Sequence, residues 1–319
     1  MRMRTILVTG SEGQIGSELV PALRRIYGDS NVIASDIKVS PNSAGQGPYE
    51  RLDVTDGRAL METAKKYRVD TIIHLAALLS ATAETKPLAA WQINMNGLLN
   101  ALEAARECKC RFFMPSSIGV FGPATPKKNT PQVTVQRPAT MYGINKLSGE
   151  LLCDYYHRKY GVDTRGLRFP GLISHAAPPG GGTTDYAVEM YFAAVERGSY
   201  TSYIAEGTYL DMMYMPDAIR AVIQLLEADE SRLTCRNAYN VTAMSVSPEM
   251  IAEAIRRHIP TFTVTYCPDP ARQAIADSWP DGMDCSAAQA DWGFRPEYDL
   301  EKMTEDMLSN IAARVRQST

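Results

Sequence analysis

Apolar residues along this chain follow two spacings: short continuous runs, and longer stretches in which they recur every three to four positions. Ile6-Leu7-Val8 is a short run, Gly10, Gly13 and Gly16 follow at once, and Ile15, Leu19, Leu23 and Ile26 then mark one helical face. Strand, tight turn and helix are predicted. A second run, Asn31 to Ser35, ends in Asp36, and a Gly/Pro/Ser-rich loop over Ser40–Pro48 leads to a short strand at Tyr49–Val54. A helix is expected over about Asp56–Tyr67, with Asp56 as its N-cap. Strand Asp70–Leu75 runs into Ala76-Ala77, a long helix spans about Leu88–Cys108, and strand Arg111–Pro115 precedes Ser116-Ser117-Ile118-Gly119. A loop rich in Pro, Thr and Lys, Gly122–Pro138, separates these from a helix over about Thr140–Tyr160 and a strand at Asp163–Phe169. Strands alternating with helices over residues 1–170 predict an α/β domain with a parallel, doubly wound sheet and right-handed crossovers.

The alternation then loosens. Pro178-Pro179-Gly180-Gly181-Gly182 breaks the chain before a helix over about Thr184–Arg197, and Pro216 begins another through Ile219, Val222, Ile223 and Leu226. Strands near Asn237–Thr242 and Phe262–Tyr266 and helices near Pro248–His258 and Leu300–Arg314 follow. Residues 171–319 are read as a smaller lobe built at the carboxyl ends of the strands, part of which returns to the main sheet.

Composition narrows the classes. The 319 residues are 45% hydrophobic and 22% charged, with a net charge of −3 spread along the chain, unlike the concentrated basic face of a nucleic-acid binder. No apolar run approaches the ~20 residues of a membrane span. The first strand begins within a few residues of Met1, so no targeting segment is expected and a cytoplasmic chain is the default, or a mitochondrial one in a eukaryote. The cysteines and histidines are scattered without metal-ligand spacing, and the thiols are read as reduced.

Three glycines in a β–α turn let backbone approach a pyrophosphate, whose charge the following helix N-terminus favours. Ordinary β–α turns carry such glycines too. Asp36, however, lies 20 residues beyond Gly16, where a dinucleotide fold places the acid that binds the adenosine ribose and repels a 2′-phosphate. NAD is therefore expected rather than NADP, with Lys38 as the one nearby cation against it. Small residues at Ala76-Ala77 suit the crossing of a cofactor over the sheet. Tyr142 and Lys146, four apart at a helix start, share a face. A tyrosine ordinarily titrates near pH ~10, and an adjacent lysine cation favours the phenolate. With Ser117 leaving a strand end, this makes an alcohol–ketone redox centre beside a nicotinamide. Alone, such a Tyr/Lys pair is more often plain helix surface.

With these residues in order, the chain resembles the extended short-chain dehydrogenase/reductase superfamily over its full length. The matching motifs are VTGSEGQIG, Asp36, HLAA (His74–Ala77), Asn94, PSSIGVFG (Pro115–Gly122), Tyr142 with Lys146, and Asp217 in YMPDAIRAV. The resemblance implies a Rossmann fold with a C-terminal substrate-binding lobe and catalytic Ser117, Tyr142 and Lys146. NAD would be held by Gly10, Gly13, Gln14, Ile15, Gly16, Asp36, Asp53, Val54, Leu75, Ala76, Ala77 and Asn94, with Tyr142 and Lys146. Many members act on nucleotide-sugars, so an epimerase or dehydratase of that type is the alternative. Arg168-Phe169-Pro170-Gly171 lacks the asparagine those epimerases carry there, and Leu210-Asp211 lacks their diphosphate-clamping arginine.

Within the superfamily, PSSIGVFGP, RFPGLIS (Arg168–Ser174), GGGTTDYA (Gly180–Ala187), QAIADSWP (Gln273–Pro280) and DWGF (Asp291–Phe294) resemble the short-chain L-threonine 3-dehydrogenases. This implies NAD-dependent oxidation of L-threonine to 2-amino-3-oxobutanoate, with substrate contacts from Ser80, Ser117, Tyr142, Thr184, Asp185 and Trp279. Backbone N–H groups of Gly180–Thr184 are expected to receive the substrate carboxylate, and Asp185 its ammonium; N-capping by Thr184-Asp185 is the plainer reading. Trp279 is either a closing residue or lobe core. The superfamily further implies a homodimer through the helices near Leu88–Cys108 and Thr140–Tyr160, with Leu98, Leu102, Leu151, Leu152 and Tyr155 facing either the partner or the sheet. A non-catalytic NAD-binding regulator is a third reading, which the retained Tyr142 and Lys146 oppose.

Overall fold

A computed structural model describes residues 3–38, 47–176 and 180–318. Most of the loop expected over Ser40–Pro48, and Pro178-Pro179, lie outside the described residues. In chain order the first half runs β1 (Ile6–Thr9), α1 (Gly16–Tyr27), β2 (Val32–Asp36), β3 (Tyr49–Arg51), α2 (Gly57–Tyr67), β4 (Thr71–His74), α3 (Ser80–Thr85), α4 (Pro87–Trp91), α5 (Gly97–Cys108), β5 (Arg111–Ser117), α6 (Met141–Tyr160) and β6 (Thr164–Phe169). The second half runs β7 (Gly171–Ile173), α7 (Asp185–Glu196), β8 (Ser199–Ser202), β9 (Leu210–Tyr214), α8 (Met215–Glu227), β10 (Tyr239–Asn240), β11 (Met244–Val246), α9 (Pro248–His258), β12 (Thr263–Tyr266), α10 (Pro270–Asp277), α11 (Ser286–Trp292) and α12 (Leu300–Ser318).

The central sheet has seven strands in the order β10-β6-β5-β4-β1-β2-β3, all parallel, as the alternation predicts. Successive side chains go to opposite faces. Leu7, Ile72 and Phe112 pack on one side against α2, α5 and α6 with Leu60, Leu102 and Cys153. Ile6, Val8, Ile73 and Phe113 pack on the other against α1 and α8 with Leu19, Leu23, Val222 and Leu225. Both faces are covered, which is why the strands read as continuous apolar runs rather than alternating ones.

Asp56 caps α2 by accepting from the Ala59 N–H at 2.9 Å, and Thr140 caps α6 by accepting from the Gly143 N–H at 3.0 Å. Each such cap contributes about 1 kcal/mol. The helix expected over Leu88–Cys108 is interrupted: a π-turn over Gln92–Asn96 joins α4 to α5 and gives Asn94 its own direction. Short α3 lies ahead of it and is absent from the periodicity. Leu98 and Leu102 of α5 face the sheet, whereas Leu151 and Tyr155 of α6 are exposed.

The chain beyond residue 170 contributes to both units. β10 joins the sheet edge beside β6, and α8 lies beside α1. Arg165, fully buried in β6, donates to the Leu225 and Ala228 carbonyls at 2.6 and 2.8 Å, satisfying the otherwise unpaired end of α8. Asp163 pairs with Arg165, Arg111 and Arg236. Burial alone would raise its carboxyl, but Arg165 and Arg111 hold it down at about 2. The remaining elements form the smaller core, where Tyr186 and Tyr191 of α7 meet Met212 and Tyr214 of β9, Ile251 and Ile255 of α9, and Met303 and Met307 of α12. β11-β9-β7 and β12-β8 are small sheets in this part; β7, β8, β9 and β11 are strands of five residues or fewer that the loosened pattern does not reveal.

Asp211 of β9 is buried beneath this lobe, accepting from Thr242 Oγ1 at 2.5 Å and the Met283 N–H at 2.8 Å. Burial pushes its carboxyl up to about 8, only partly offset by those hydrogen bonds. The folded state therefore holds this proton more tightly than the unfolded chain, where an aspartic acid titrates near ~3.9. The resulting stabilisation is complete below that value and is lost as pH rises toward 8. Urea unfolding should accordingly show the wild type losing stability between pH 5 and pH 8, and Asp211→Asn losing markedly less over the same interval.

Candidate active site

The site is assembled at the carboxyl edge of the sheet. Beyond β1 the chain turns at Gly10, whose φ is +71° and where a Cβ would come within 2.6 Å of the Ala76 nitrogen. A Cβ at Gly16 would meet the Gly10 and Ser11 carbonyl oxygens at 2.6 Å. Gly13 donates its N–H to the Gly10 oxygen at 3.2 Å and Gln14 donates to the Leu172 carbonyl at 3.5 Å. Ile15 packs with the sheet core and Leu75 is half-buried beside it. The Ser11 hydroxyl in this turn is buried without a protein partner, a donor left for a ligand.

Asp36 sits at the end of β2 with its carboxylate aimed by two backbone N–H groups, Glu12 at 3.1 Å and Lys38 at 3.1 Å. Asp53 is exposed and turns its carboxylate on Thr55 (N–H at 2.9 Å, hydroxyl at 2.7 Å), while Val54 is buried against Gly97. Asn94 accepts from the Leu78 N–H at 2.7 Å and donates to Asn145 Oδ1 at 3.2 Å, which ties the strand-end turn to α6. His74, Ala76, Ala77, Asn94, Asn145 and Lys146 line one small cavity. His74 enters it with Nε2 unpartnered and Nδ1 on Thr9 Oγ1 at 2.9 Å. The sequence motif HLAA pointed to this turn without assigning the histidine.

Tyr142, Lys146 and Ser117 converge. Lys146 Nζ lies 5.6 Å from the Tyr142 ring centroid and donates to the Pro115 carbonyl at 2.7 Å. Ser117 Oγ accepts from the Gly119 N–H at 3.1 Å. All three residues are buried. The electrostatics differ from the expectation that Lys146 depresses the tyrosine: burial pushes Tyr142 up to about 12, and the nearby Ser117 hydroxyl, not Lys146, is the group that opposes the rise. Lys146 itself is lowered to about 8, chiefly by burial. Desolvation disfavours both charged forms and outweighs their mutual attraction at this separation.

Ser80 is joined to the loop that precedes Asp185. Ser80 Oγ lies 3.2 Å from Thr183 Oγ1 and accepts the Thr183 N–H at 3.2 Å. Thr183, which the sequence reading did not name, is the threonine joined to Ser80; its neighbour Thr184 turns its methyl toward Gly171. The backbone donors assigned to a substrate carboxylate are in use as well. Asp185 accepts the Gly181 and Gly182 N–H groups at 2.8 and 2.7 Å, and Thr183 is held by Ser80. Burial raises the Asp185 carboxyl, and the two glycine N–H groups oppose that rise. Trp279 is buried in the lobe core with its indole N–H unpartnered.

A glycine cradle, an oriented acid at the end of β2 and a buried Ser/Tyr/Lys cluster beside the strand-end cavity define an NAD-dependent oxidoreductase. More particularly, the chain belongs to the NAD-dependent epimerase/dehydratase family, whose model matches residues 6–242. An uncharacterized epimerase/dehydratase of Staphylococcus saprophyticus is 58% identical over 98% of each chain. The L-threonine dehydrogenase of Clostridium difficile superposes with a TM-score of 0.96 at 58% identity, covering 98% of this chain and 99% of its own. A GalE-like L-threonine dehydrogenase of Cupriavidus necator, in holo form, gives 0.94 at 50% identity, covering 96% and 99%.

The residues fit the cofactor: the cradle at Gly10 and Gly16 is one a Cβ would fill, and the Ser11 hydroxyl is an orphan donor in the same turn. Gly10→Ala should abolish NADH binding, read as loss of NADH fluorescence enhancement, because the added methyl meets backbone rather than a flexible side chain. Binding within twofold of wild type would exclude this turn as the cofactor cradle.

Proposed function

We propose that the protein oxidises L-threonine to 2-amino-3-oxobutanoate with NAD. The observation that carries the reading is the full-length likeness to L-threonine dehydrogenases together with the buried Ser117, Tyr142 and Lys146. When bound, NAD accepts the hydride from the carbon that bears the hydroxyl. Tyr142 takes the hydroxyl proton as general base, Ser117 orients the substrate oxygen through its own hydroxyl, and Lys146 supplies the cation that favours the phenolate. A small zwitterionic substrate needs few contacts, and Ser80, Thr184, Asp185 and Trp279 are assigned to them, with Thr183 added on the strength of its bond to Ser80. The carboxylate of Asp185 suits an ammonium.

The nucleotide-sugar alternative is the weaker one. Leu210 precedes Asp211 within a buried strand, with no cation there for a diphosphate. We assign the remaining cofactor contacts to Gln14, Ile15, Asp36, Asp53, Val54, Leu75, Ala76, Ala77 and Asn94, and the lobe boundary to residue 170 with β10 and α8 returning to the sheet. A homodimer through α4–α6 belongs to the same reading, supported by exposed Leu88, Trp91, Leu151 and Tyr155. So does a cytoplasmic setting, supported by six free cysteines. No helix among the described residues is long and apolar enough to cross a membrane.

The test is NADH formation with L-threonine beside L-serine, D-threonine, L-allo-threonine and UDP-glucose, repeated with NADP. Turnover of L-threonine with NAD alone is expected, and conversion of UDP-glucose without threonine turnover would favour the alternative. Tyr142→Phe should lose at least about 10²-fold in kcat while keeping NADH affinity within a few-fold. Because the base titrates above neutrality, kcat/KM should rise with pH from 6 to 8; a flat profile would argue against Tyr142. Sedimentation at micromolar concentration should give a dimer, and a monomer would remove the assembly from the reading.

A further inference from the structure

Glu150 follows Lys146 by four residues, on the same face of α6, and is buried at the carboxyl edge of the sheet. Its carboxylate accepts from Ser116 Oγ at 2.5 Å, from Gln136 Nε2 at 3.2 Å, and from Arg168 through Nε at 2.9 Å and Nη2 at 2.8 Å. Arg168, equally buried, directs Nη1 to the Gln132 carbonyl at 2.9 Å and Asn240 Oδ1 at 3.2 Å. One buried ion pair thus joins β5, β6, β10, α6 and the loop Gly122–Pro138. A buried pair is costly to desolvate, and apolar residues would join the same elements as well or better. Packing therefore does not account for it, but its neighbours do. Ser116 lies between Ser117 and Pro115, and the Pro115 carbonyl is the acceptor of Lys146 Nζ.

We propose that Glu150 is a positioning residue of the active site: through Ser116 it fixes the end of β5 that aligns Ser117 and the Pro115 carbonyl on which Lys146 rests. The proposal rests on the reading of Tyr142 and Lys146 as the working pair. The titratable groups facing Lys146 are Tyr142, Glu150 and Cys153 on its own helix and His74 from β4. Burial and the Lys146 charge bring His74 down to about 3, so it stays neutral, and burial pushes the Cys153 thiol and Tyr142 up, so they stay protonated. Glu150 is left as the anion opposing the loss of the Lys146 proton on burial. Arg168 holds that anion in place with a bidentate grip.

The experiment follows Lys146 itself by NMR in the full-length protein, using lysine labelled with carbon-13 at Cε and assigning the signal by its absence in Lys146→Arg. In Glu150→Gln the titration midpoint should fall by about one unit or more, and Glu150→Asp should restore most of it. Should Glu150→Gln not fold with Arg168 left unpaired, Glu150→Gln/Arg168→Met removes both charges, and a smaller fall in the same direction is expected because the lost Arg168 cation works the other way. At pH 7.5 kcat with L-threonine should fall about tenfold while KM stays within about threefold, the mark of a group that orients the chemistry rather than binds substrate. An unchanged Lys146 midpoint in either folded variant overturns the proposal, whatever the activity. A shifted midpoint in a protein whose wild type is inert with L-threonine removes the substrate reading and leaves the proposal standing.

Discussion

Parallel pairing of β1, β4, β5 and β6 brings four strand ends to one edge, and that registration places the strand-borne groups of the site. Thr9 is level with His74 across β1 and β4, and Ser116 and Ser117 are level with Arg168 and Phe169 across β5 and β6. Turns at that edge must cross one another closely, which is possible because Gly10 carries no side chain where Ala76 passes. The close approach would be lost with a single added methyl group. Helix N-termini at the same edge add their positive ends, as a pyrophosphate requires.

Charge is buried at both ends of the strands, and the protein handles the two places differently. Asp163 lies among three arginines, so its charge is retained against burial. Tyr142 and Lys146 have no comparable opposite charge in contact, and burial moves both toward their neutral forms. A tyrosine that titrates above neutrality and a lysine that titrates near it make a pair sensitive to any added charge in the cavity. Glu150, fully hydrogen-bonded and one turn away, is placed to bias that pair without touching the reacting atoms.

The smaller lobe is held to the sheet by backbone rather than by side-chain chemistry alone. Thr130 of the loop Gly122–Pro138 bridges to Met283, donating its N–H to the Gly282 oxygen at 2.9 Å, and Asp284 returns an N–H to the Thr130 oxygen at 2.9 Å. Asn240 Nδ2 reaches the same Thr130 oxygen at 3.3 Å. Asp211 receives the Met283 N–H from the other side. The segment after Trp279 is thereby tied to the loop Gly122–Pro138, to β10 and to β9.

Apolar runs and helical spacing by themselves determined the doubly wound sheet, the helices α1, α2, α6 and α9, and the cap at Asp56, because these depend on local periodicity and local hydrogen bonds. Glycines in a fixed turn, Asp36 and the four-residue step from Tyr142 to Lys146 were legible for the same reason. The short strands β7, β8, β9 and β11 and the π-turn at Asn94 were not, since each is stabilised by partners distant in the chain. Nor does spacing reveal which neighbours a buried group meets. That Thr183 rather than Thr184 reaches Ser80, that Asp185 takes up the glycine N–H groups, and that burial outweighs the Lys146 charge at Tyr142 were decided by tertiary structure. Desolvation depends on everything packed around a group, and a linear sequence does not state what that is.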